Sequence, residues 1–186
     1  MSIFNDYEGF IFDLDGTIYL DEIIIPNADQ VINKIKKEGK KIVFISNKTT
    51  GSACDYYNFL KSKNILIEPD EVVNATVITK KYLCDNYPNK KFYAIGEEKF
   101  VNEIVDSGLD FSIKPEEIDI VLITLDRTLD YEKLEIAAKA LDNGANFFAA
   151  NIDNTCPVEN GEILDAGATI SALEKRTNRK LELNFG

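Results

Sequence analysis

Short apolar runs alternate with segments of helical periodicity along most of the chain, and this alternation constrains the fold more than any other feature. Gly9–Leu14 and Lys41–Ser46 are typical of buried strands, and Asn27–Glu38 between them carries apolar residues at helical spacing. A strand, a helix and a second strand in this order favour parallel pairing, because the connection has to cross over the sheet. The pattern therefore predicts an α/β fold with a doubly wound parallel sheet and helices on its faces.

The alternation continues along the rest of the sequence. Further helices are predicted over Ser52–Lys63, Thr76–Asn86, Glu97–Asp106, Tyr131–Asn143 and Ala166–Thr177. Further strands are predicted over Lys91–Ile95, Ile118–Thr124, Asn146–Ala150 and Leu181–Phe185, with a turn-rich stretch over Asn151–Gly161. Because a parallel sheet is not expected to stop at an unsupported strand, the final LELNFG indicates a longer protein that has been cut.

The composition excludes several classes of function. The sequence contains no histidine, which rules out Ser-His-Asp triads, Cys-His proteases and HExxH metal sites. Cys54, Cys84 and Cys156 form no CxxC pair, so zinc and redox motifs are not expected and a reducing cytoplasm fits. A net charge of −11 argues against a nucleic-acid partner. The sequence shows neither a membrane-length apolar run nor a signal-peptide pattern, so we expect a soluble cytoplasmic protein.

Two carboxylates follow the first predicted strand, in the segment FIFDLDGTIY. Asp13 ends the strand, Asp15 lies in the loop just beyond it, and Gly16 lets the backbone turn sharply and approach a ligand closely. Parallel sheets bind their ligands at the carboxyl ends of the strands. Two carboxylates at one strand end need a cation or a proton between them, and Mg²⁺ with its oxygen ligands meets that need.

A solvated turn at the strand end is the plain alternative for this motif, since Asp and Gly favour turns. A calcium-binding EF-hand loop is excluded, because Ile18 and Ile24 stand where that loop needs Gly and Glu.

A second polar pair, Ser46–Asn47, ends the second predicted strand in IVFISNKTT. If the two strands are neighbours, Ser46 lies beside Asp13 at the same edge of the sheet. A hydroxyl and an amide at that edge can hold phosphate oxygens as uncharged donors. Ser-Asn after a strand is often only the start of a loop, so this pair draws its weight from its position one βαβ unit after DLDGT.

Together these motifs resemble the haloacid dehalogenase (HAD) superfamily of hydrolases, whose motifs I and II are similar to DLDGT and to a strand ending in Ser-Asn. Ala149–Gly167 and Ile123–Leu134 resemble the NagD-like, p-nitrophenylphosphatase-type branch, and the resemblance covers essentially the whole chain. It implies a Rossmann-like core with an inserted C2-type α/β cap. We expect residues 1–73 to form the first part of the core, 74–161 the cap, and 162–186 a return to the core.

The resemblance also implies a reaction, the hydrolysis of a phosphomonoester through an aspartyl phosphate. Asp13 would be the nucleophile, and Asp15 would protonate the leaving oxygen and then activate water. Mg²⁺ would be bound by the Asp13 carboxylate and the Asp15 backbone carbonyl. Substrates would be small phosphorylated metabolites such as sugar phosphates, nucleotides, glycerol phosphates or aryl phosphates, and family caps often mediate homodimers.

Phosphate and substrate contacts are assigned in the same way. Ser46, Asn47 and Lys48 would surround the phosphate, with Gly16 allowing close approach of the backbone. Cys156 stands where the cap of such enzymes points a substrate-selecting residue at the active site, and a small buried apolar side chain is the alternative role.

Two departures from the family pattern stand out. Lys48 replaces the second Asn that many relatives have in motif II, and the motif III lysine and motif IV aspartate would lie beyond Gly186. Without those two groups we expect activity far below that of a full-length relative, so a catalytically incompetent fragment that only binds is the alternative. Dehalogenation or phosphoryl transfer is a third reading, and Asp15 argues against dehalogenation because that reaction needs no acid two residues after the nucleophile.

Overall fold

A computed structural model describes residues 6–158 and 161–186 of the chain. These residues form two compact units. The first unit holds the described residues up to Ser46 together with Ala53–Asn74, and the second holds Asn47–Ser52 and the described residues from Ala75 to Gly186. Each unit contains its own parallel sheet with helices against it, so the predicted α/β class with parallel sheets is confirmed.

The first unit follows the predicted order of strand, helix and strand, with short additions. Its elements are β1 (Gly9–Asp13), β2 (Tyr19–Leu20), β3 (Ile23–Ile24), α1 (Ala28–Lys37), β4 (Lys41–Ser46), α2 (Ala53–Ser62), a 3-10 turn (Pro69–Glu71) and β5 (Val72–Asn74). Within the described residues, β1, β4 and β5 form a three-stranded parallel sheet in that order.

The core of the first unit lies on one face of this sheet. Ile32 and Ile35 of α1 and Leu60 of α2 pack with Phe44 of β4 in a single buried cluster. Ile32 and Ile35 are spaced so that they share one side of α1, which is why the apolar spacing of the sequence located this helix. The helices thereby fix the sheet from one side.

The second unit is larger and contains the following elements: α3 (Ala75–Asn86), β6 (Lys91–Ile95), α4 (Glu98–Val105), β7 (Asp110–Phe111), β8 (Ile120–Ile123), α5 (Tyr131–Asp142), β9 (Asn146–Ala149), β10 (Thr155–Val158), β11 (Gly161–Leu164), α6 (Ala166–Thr177) and β12 (Leu183–Asn184). Its described residues include a five-stranded sheet in the order β12-β9-β8-β6-β7, in which every neighbouring pair is parallel.

Helices cover both faces of the five-stranded sheet. Alternate strand residues point to opposite faces, so Val121 of β8 packs in one cluster with α5 and α6, whereas Leu122 packs in another that includes residues of α3 and α4. A strand that is buried on both sides needs an uninterrupted apolar sequence. The run Ile120–Ile123 meets that need, with every residue fully buried.

Polar side chains fix the ends of the helices in the second unit. Asp130 caps α5 by accepting a hydrogen bond from the Lys133 amide at 2.8 Å, and Asp165 caps α6 through the Ala166 amide at 2.6 Å. Arg179 donates to the carbonyl oxygens of Leu141 at 2.9 Å and Ala145 at 3.2 Å. The two aspartates accept from backbone amides that the first turn of a helix leaves without partners, and Arg179 ties the end of α5 to the residue that precedes β9.

The turn-rich stretch predicted over Asn151–Gly161 is wrong in part, because β10 and β11 pair there as an antiparallel hairpin. Pro157 and the polar residues around it resemble a loop in sequence, but proline is tolerated in strands at a sheet edge. The segment after Gly161 also lies in the second unit, where β12 pairs with β9. The division of the chain into a core and an inserted cap stays a prediction.

In the part of the chain that the structure describes, we find no helix long and apolar enough to cross a membrane.

Candidate active site

Asp13 lies at the carboxyl end of β1, and its side chain is exposed. In the parallel register its partner on β4 is Ile45, so the next residue of β4 is Ser46. Asp13 and Ser46 therefore end neighbouring strands at the same edge of the sheet, as the sequence predicted. An exposed carboxylate at such an edge can reach a bound ligand.

The chain turns tightly after Asp13. The Ile18 amide donates to the Leu14 carbonyl at 2.9 Å, and the Gly16 amide donates to the Tyr19 carbonyl at 2.8 Å. Gly16 has a φ of +73°, a left-handed conformation that residues with a Cβ rarely adopt. The turn places Asp15 beside Tyr19, whose hydroxyl donates to Asp15 Oδ2 at 3.2 Å.

Tyr19 is a residue of this site that the sequence analysis did not single out. Its side chain is only 3% exposed, and its ring meets the ring of Phe59 edge-on at a centroid distance of 4.9 Å. Burial, followed by the nearby Asp15 carboxylate, raises the pKa of the Tyr19 phenol well above its usual value. The phenol therefore keeps its proton at neutral pH and acts as a hydrogen-bond donor to Asp15.

Asn74 is a second residue that the sequence analysis missed. It ends β5 and lies opposite Ser46 of β4 in the parallel register. Ser46 and Asn74 are 7% and 1% exposed, so both polar side chains are buried at the edge where Asp13 ends β1. The signal in the sequence was a polar residue closing the short apolar run Val72–Val73, and a run of that length is too short to be recognised as a strand.

The remaining predicted site residues belong to the second unit. The Asn47 side-chain amide donates to Asp153 Oδ2, and the Thr49 and Thr124 hydroxyls form a buried hydrogen bond. These two bonds anchor the segment that follows Ser46 within the second unit. Lys48 in the same segment is half-buried.

Cys156 lies in β10, on the hairpin of the second unit. It is half-buried and pairs with Ile163 of β11. It interacts electrostatically with Arg127, whose guanidinium donates to both carboxylate oxygens of Glu97 at 2.5 and 3.0 Å. The bond to Glu97 is the main reason that the pKa of Arg127 is raised.

Two carboxylates of the second unit have shifted pKa values for structural reasons. Burial raises the pKa of Asp165, which caps α6 and accepts a hydrogen bond from Asn151 at 3.0 Å. Burial also acts to raise the pKa of Asp126, but hydrogen bonds from Lys133 and Thr128 outweigh it and the pKa is lowered. Each of these two carboxylates therefore already accepts hydrogen bonds from residues of its own unit.

The donor chemistry at the edge of β1 suits a hard cation. The Asp13 carboxylate and the Asp15 backbone carbonyl are oxygen donors, and Mg²⁺ is commonly bound by one or two carboxylates while it keeps several waters. No cluster of three or more Asp, Glu, His or Cys side chains that could hold a metal ion occurs within residues 6–158 and 161–186.

Comparison with known proteins places the chain in a family of hydrolases. Residues 10–110 match the family described as haloacid dehalogenase-like hydrolase. A sugar-phosphatase of Bacillus subtilis is 32% identical over 178 residues, which are 96% of this chain and 65% of the relative. The chain thus spans about two thirds of the length of that curated relative.

Solved structures show the same likeness. The 4-nitrophenylphosphatase of Thermotoga maritima has a TM-score of 0.90 and 30% identity, with all of this chain and 70% of that chain covered. A glycerol phosphate phosphatase of Mycobacterium tuberculosis, solved in complex with magnesium, has a TM-score of 0.87 and 25% identity, with 98% of this chain and 55% of that chain covered.

Proposed function

Because this chain belongs to the haloacid dehalogenase-like hydrolase family, we propose that it hydrolyses phosphate monoesters of small metabolites with Asp13 as nucleophile. One observation carries the proposal: Asp13 is exposed at the carboxyl end of β1, and the adjacent strand ends in the buried hydroxyl of Ser46. A nucleophile and a phosphate-oxygen donor thus end neighbouring strands of one sheet. The phosphatases to which the chain is similar support the same reaction.

The proposed reaction has two steps. An oxygen of the Asp13 carboxylate attacks phosphorus, the bond from phosphorus to the leaving oxygen breaks, and Asp15 gives its proton to that oxygen. Water then attacks the phosphorus of the aspartyl phosphate, and Asp15 takes up a proton from this water. The P–O bond to Asp13 breaks, which releases inorganic phosphate and restores the carboxylate. Asp15 can serve as acid and then as base because the first step leaves it as a carboxylate, which takes up a new proton from the attacking water.

Phosphate binding calls for local donors, since the protein carries a net charge of −11. We assign the Ser46 hydroxyl, the Asn47 amide and the Lys48 ammonium to this task, with Gly16 allowing close approach of the backbone. Asn74 adds a buried amide beside Ser46 at the end of β5. Donors held in place before the phosphate arrives stabilise the charge that develops during transfer.

Magnesium fits the oxygen donors at the end of β1, and the Asp13 carboxylate and the Asp15 carbonyl would hold it. When bound, it would screen the repulsion between the anionic nucleophile and the phosphate dianion. A structural relative solved in complex with magnesium supports this assignment.

We propose a sugar phosphate or a similar polyol phosphate as the substrate class, because relatives include a sugar-phosphatase and a glycerol phosphate phosphatase. The predicted cap, residues 74–161, would select the substrate, with Cys156 on the β10–β11 hairpin as the selecting residue. A cytoplasmic location and a homodimer formed through the cap complete the proposal.

The proposal is tested by hydrolysis of p-nitrophenyl phosphate and of a hexose phosphate, each with and without Mg²⁺. Wild type should show metal-dependent turnover that Asp13→Asn abolishes, because an amide cannot serve as the anionic nucleophile. Asp85→Asn is the matched control, since this exposed carboxylate pairs with Lys81 on α3 and has no role in the proposed reaction, so the substitution should leave turnover unchanged. Hydroxylamine should cleave a phosphorylated form of wild type that Asp13→Asn does not form.

Metal-independent turnover, or turnover that survives in Asp13→Asn, would exclude this mechanism. An absence of turnover in wild type, even when it binds a phosphate analogue, would favour a protein that binds phosphate without hydrolysing it.

A further inference from the structure

The loop that carries Asp15 is closed by its own backbone. Amides of Thr17, Ile18 and Tyr19 lie within hydrogen-bonding distance of the Leu14 carbonyl, and the Gly16 amide donates to the Tyr19 carbonyl. Beyond the loop, Tyr19 pairs with Ile24 across the β2–β3 hairpin. The backbone of Tyr19 is therefore fixed both by hydrogen bonds within the loop and by strand pairing in the hairpin. As a result, the Cα of Tyr19, from which the side chain extends, has a defined position close to Asp15.

The Tyr19 side chain is held as firmly as its backbone. The side chain is 3% exposed, it packs edge-on against Phe59, and it belongs to the core cluster that includes Ile32 and Leu60. A ring packed in this way has little freedom to rotate. Its hydroxyl thus presents a hydrogen-bond donor to Asp15 Oδ2 from a rigid support.

A residue that first gives and then takes a proton needs a defined orientation. Asp15 lies in a loop and is half-buried, so its side chain is less restricted by packing than a core residue would be. A donor that engages Oδ2 selects one rotamer and leaves the other oxygen, Oδ1, directed away from the tyrosine. Misplacement of a reacting group by about 1 Å can cost about 100-fold in rate.

We propose that Tyr19 is a positioning residue for Asp15: its buried hydroxyl holds Oδ2, so that Oδ1 faces the leaving oxygen during proton transfer. The inference rests on the proposed function, because it assigns Tyr19 to the acid–base step of that reaction. The carboxyl that transfers the proton is Asp15, and Tyr19 exchanges no proton with the substrate. The hydrogen bond from Tyr19 to Asp15 should raise the reaction rate most for esters whose leaving oxygen has to be protonated.

The test uses two esters that differ in this need. The p-nitrophenolate ion leaves readily without a proton, whereas the alkoxide of a hexose phosphate needs one. Asp15 also acts in the second step, which both esters share, so the comparison is made on the first step, as the release of the alcohol or phenol in a single turnover with enzyme in excess. We expect Tyr19→Phe to lower this single-turnover rate for the hexose phosphate by about 10- to 100-fold, the scale on which general acids and orientation act. For p-nitrophenyl phosphate the same rate should fall less than about threefold, because its leaving oxygen does not need the proton of Asp15.

Tyr57→Phe is the matched control, because Tyr57 lies on α2 of the same unit and its hydroxyl accepts only an exposed hydrogen bond from Lys61 among the bonds described for it. This variant should leave both single-turnover rates unchanged. An equal loss on both esters in Tyr19→Phe, or no loss on either, would overturn the proposal.

A second readout does not depend on turnover. Three-bond NMR couplings that report χ1 of Asp15 should show one rotamer in wild type and rotamer averaging in Tyr19→Phe. If the couplings of Asp15 stay those of one rotamer in the variant, the positioning role is overturned even when both proteins are active. If neither protein hydrolyses any ester but the couplings change as expected, the proposed function fails while the hydrogen bond keeps its orienting effect.

Discussion

The sheets of the two units are buried in different ways. In the second unit the central strand β8 is fully buried on both faces, with Ile123 packed in the cluster of α5 and α6 and Leu122 in the cluster that includes residues of α3 and α4. In the first unit, Phe44 is fully buried on one face, but Ile11 is 71% exposed and Ile45 is 44% exposed on the other. The register pairs Ile11 with Val43 and Asp13 with Ile45, so these exposed isoleucines share one face.

This difference teaches that isoleucine in a parallel strand contributes differently to the stability of the two units. Parallel sheets are normally covered on both faces, and the second unit meets that condition within its own residues. In the first unit, the free energy gained from apolar burial comes from the face that packs against α1 and α2. The isoleucines of the exposed face bury less apolar surface and therefore contribute less to this free energy.

The largest effect is expected at the centre of the second unit. Ile123→Ala should lower the free energy of unfolding by about 2 to 5 kcal/mol, because it removes buried methyl and methylene groups and leaves a cavity in the cluster that the sheet forms with α5 and α6. Urea denaturation measures the loss. Hydrogen exchange of the β8 amides locates it in the second unit, which matters because a chain with two units can unfold in more than one step.

A smaller effect is expected at the helix that covers one face of this sheet. Asp130→Ala should cost about 0.5 to 2 kcal/mol, because the first turn of α5 loses the carboxylate that accepts from the Lys133 amide. Asp130→Asn is the control, since its side-chain oxygen can accept the same bond. If both variants were equally destabilised in urea, charge rather than capping would account for the loss.

The exposed face of the first unit should tolerate the substitution that the second unit does not. Ile11→Ala is expected to change the free energy of unfolding by no more than about 0.5 kcal/mol, as exposed positions usually do. The same denaturation experiment gives the comparison with Ile123→Ala directly. A loss above about 1 kcal/mol would show that Ile11 is covered in solution.

The smallest effect depends on pH and concerns Glu117 of the second unit, which pairs with Lys91 and Lys114. Hydrogen bonds from Lys91, at 2.7 Å, and then from Lys114 lower the pKa of Glu117 from 4.5 to about 2. A carboxylate with a lowered pKa stabilises the fold above its unfolded pKa, and this contribution disappears as the pH falls from about 4.5 towards 2. Glu117→Gln should therefore differ slightly from wild type near pH 6 and match it near pH 2 in thermal unfolding. A constant difference at both pH values would contradict this assignment.

Much of the fold followed from periodicity alone. The strands Lys41–Ser46 and Lys91–Ile95 and the helix Ala166–Thr177 have the predicted bounds, because each is a long run with one clear pattern and a marked end. The β10–β11 hairpin and β5 were missed. Their strands are short and contain polar residues or proline, so their pairing depends on partners that no local pattern reveals.

The residues of the candidate site also differ in whether the sequence could predict them. Asp13 and Ser46 could be predicted because each ends a recognisable strand, and adjacent parallel strands place their carboxyl ends together. Tyr19 could not be found in this way. Its contact with Asp15 depends on a tight turn with a positive φ at Gly16 and on a ring packed against Phe59, which lies 40 positions further along the sequence.

The parallel pairing of the five-stranded sheet has a consequence for how the chain folds. Its strands β6, β8 and β9 are neighbours, and α4 and α5 lie in the connections between them. Contacts between residues that are distant in sequence slow folding, because the entropy of closing each loop must be lost before the contact forms. Until these crossovers close, the apolar strands at the centre of the sheet stay open to other chains. We therefore expect refolding of the second unit to be slow and its yield to fall as protein concentration rises.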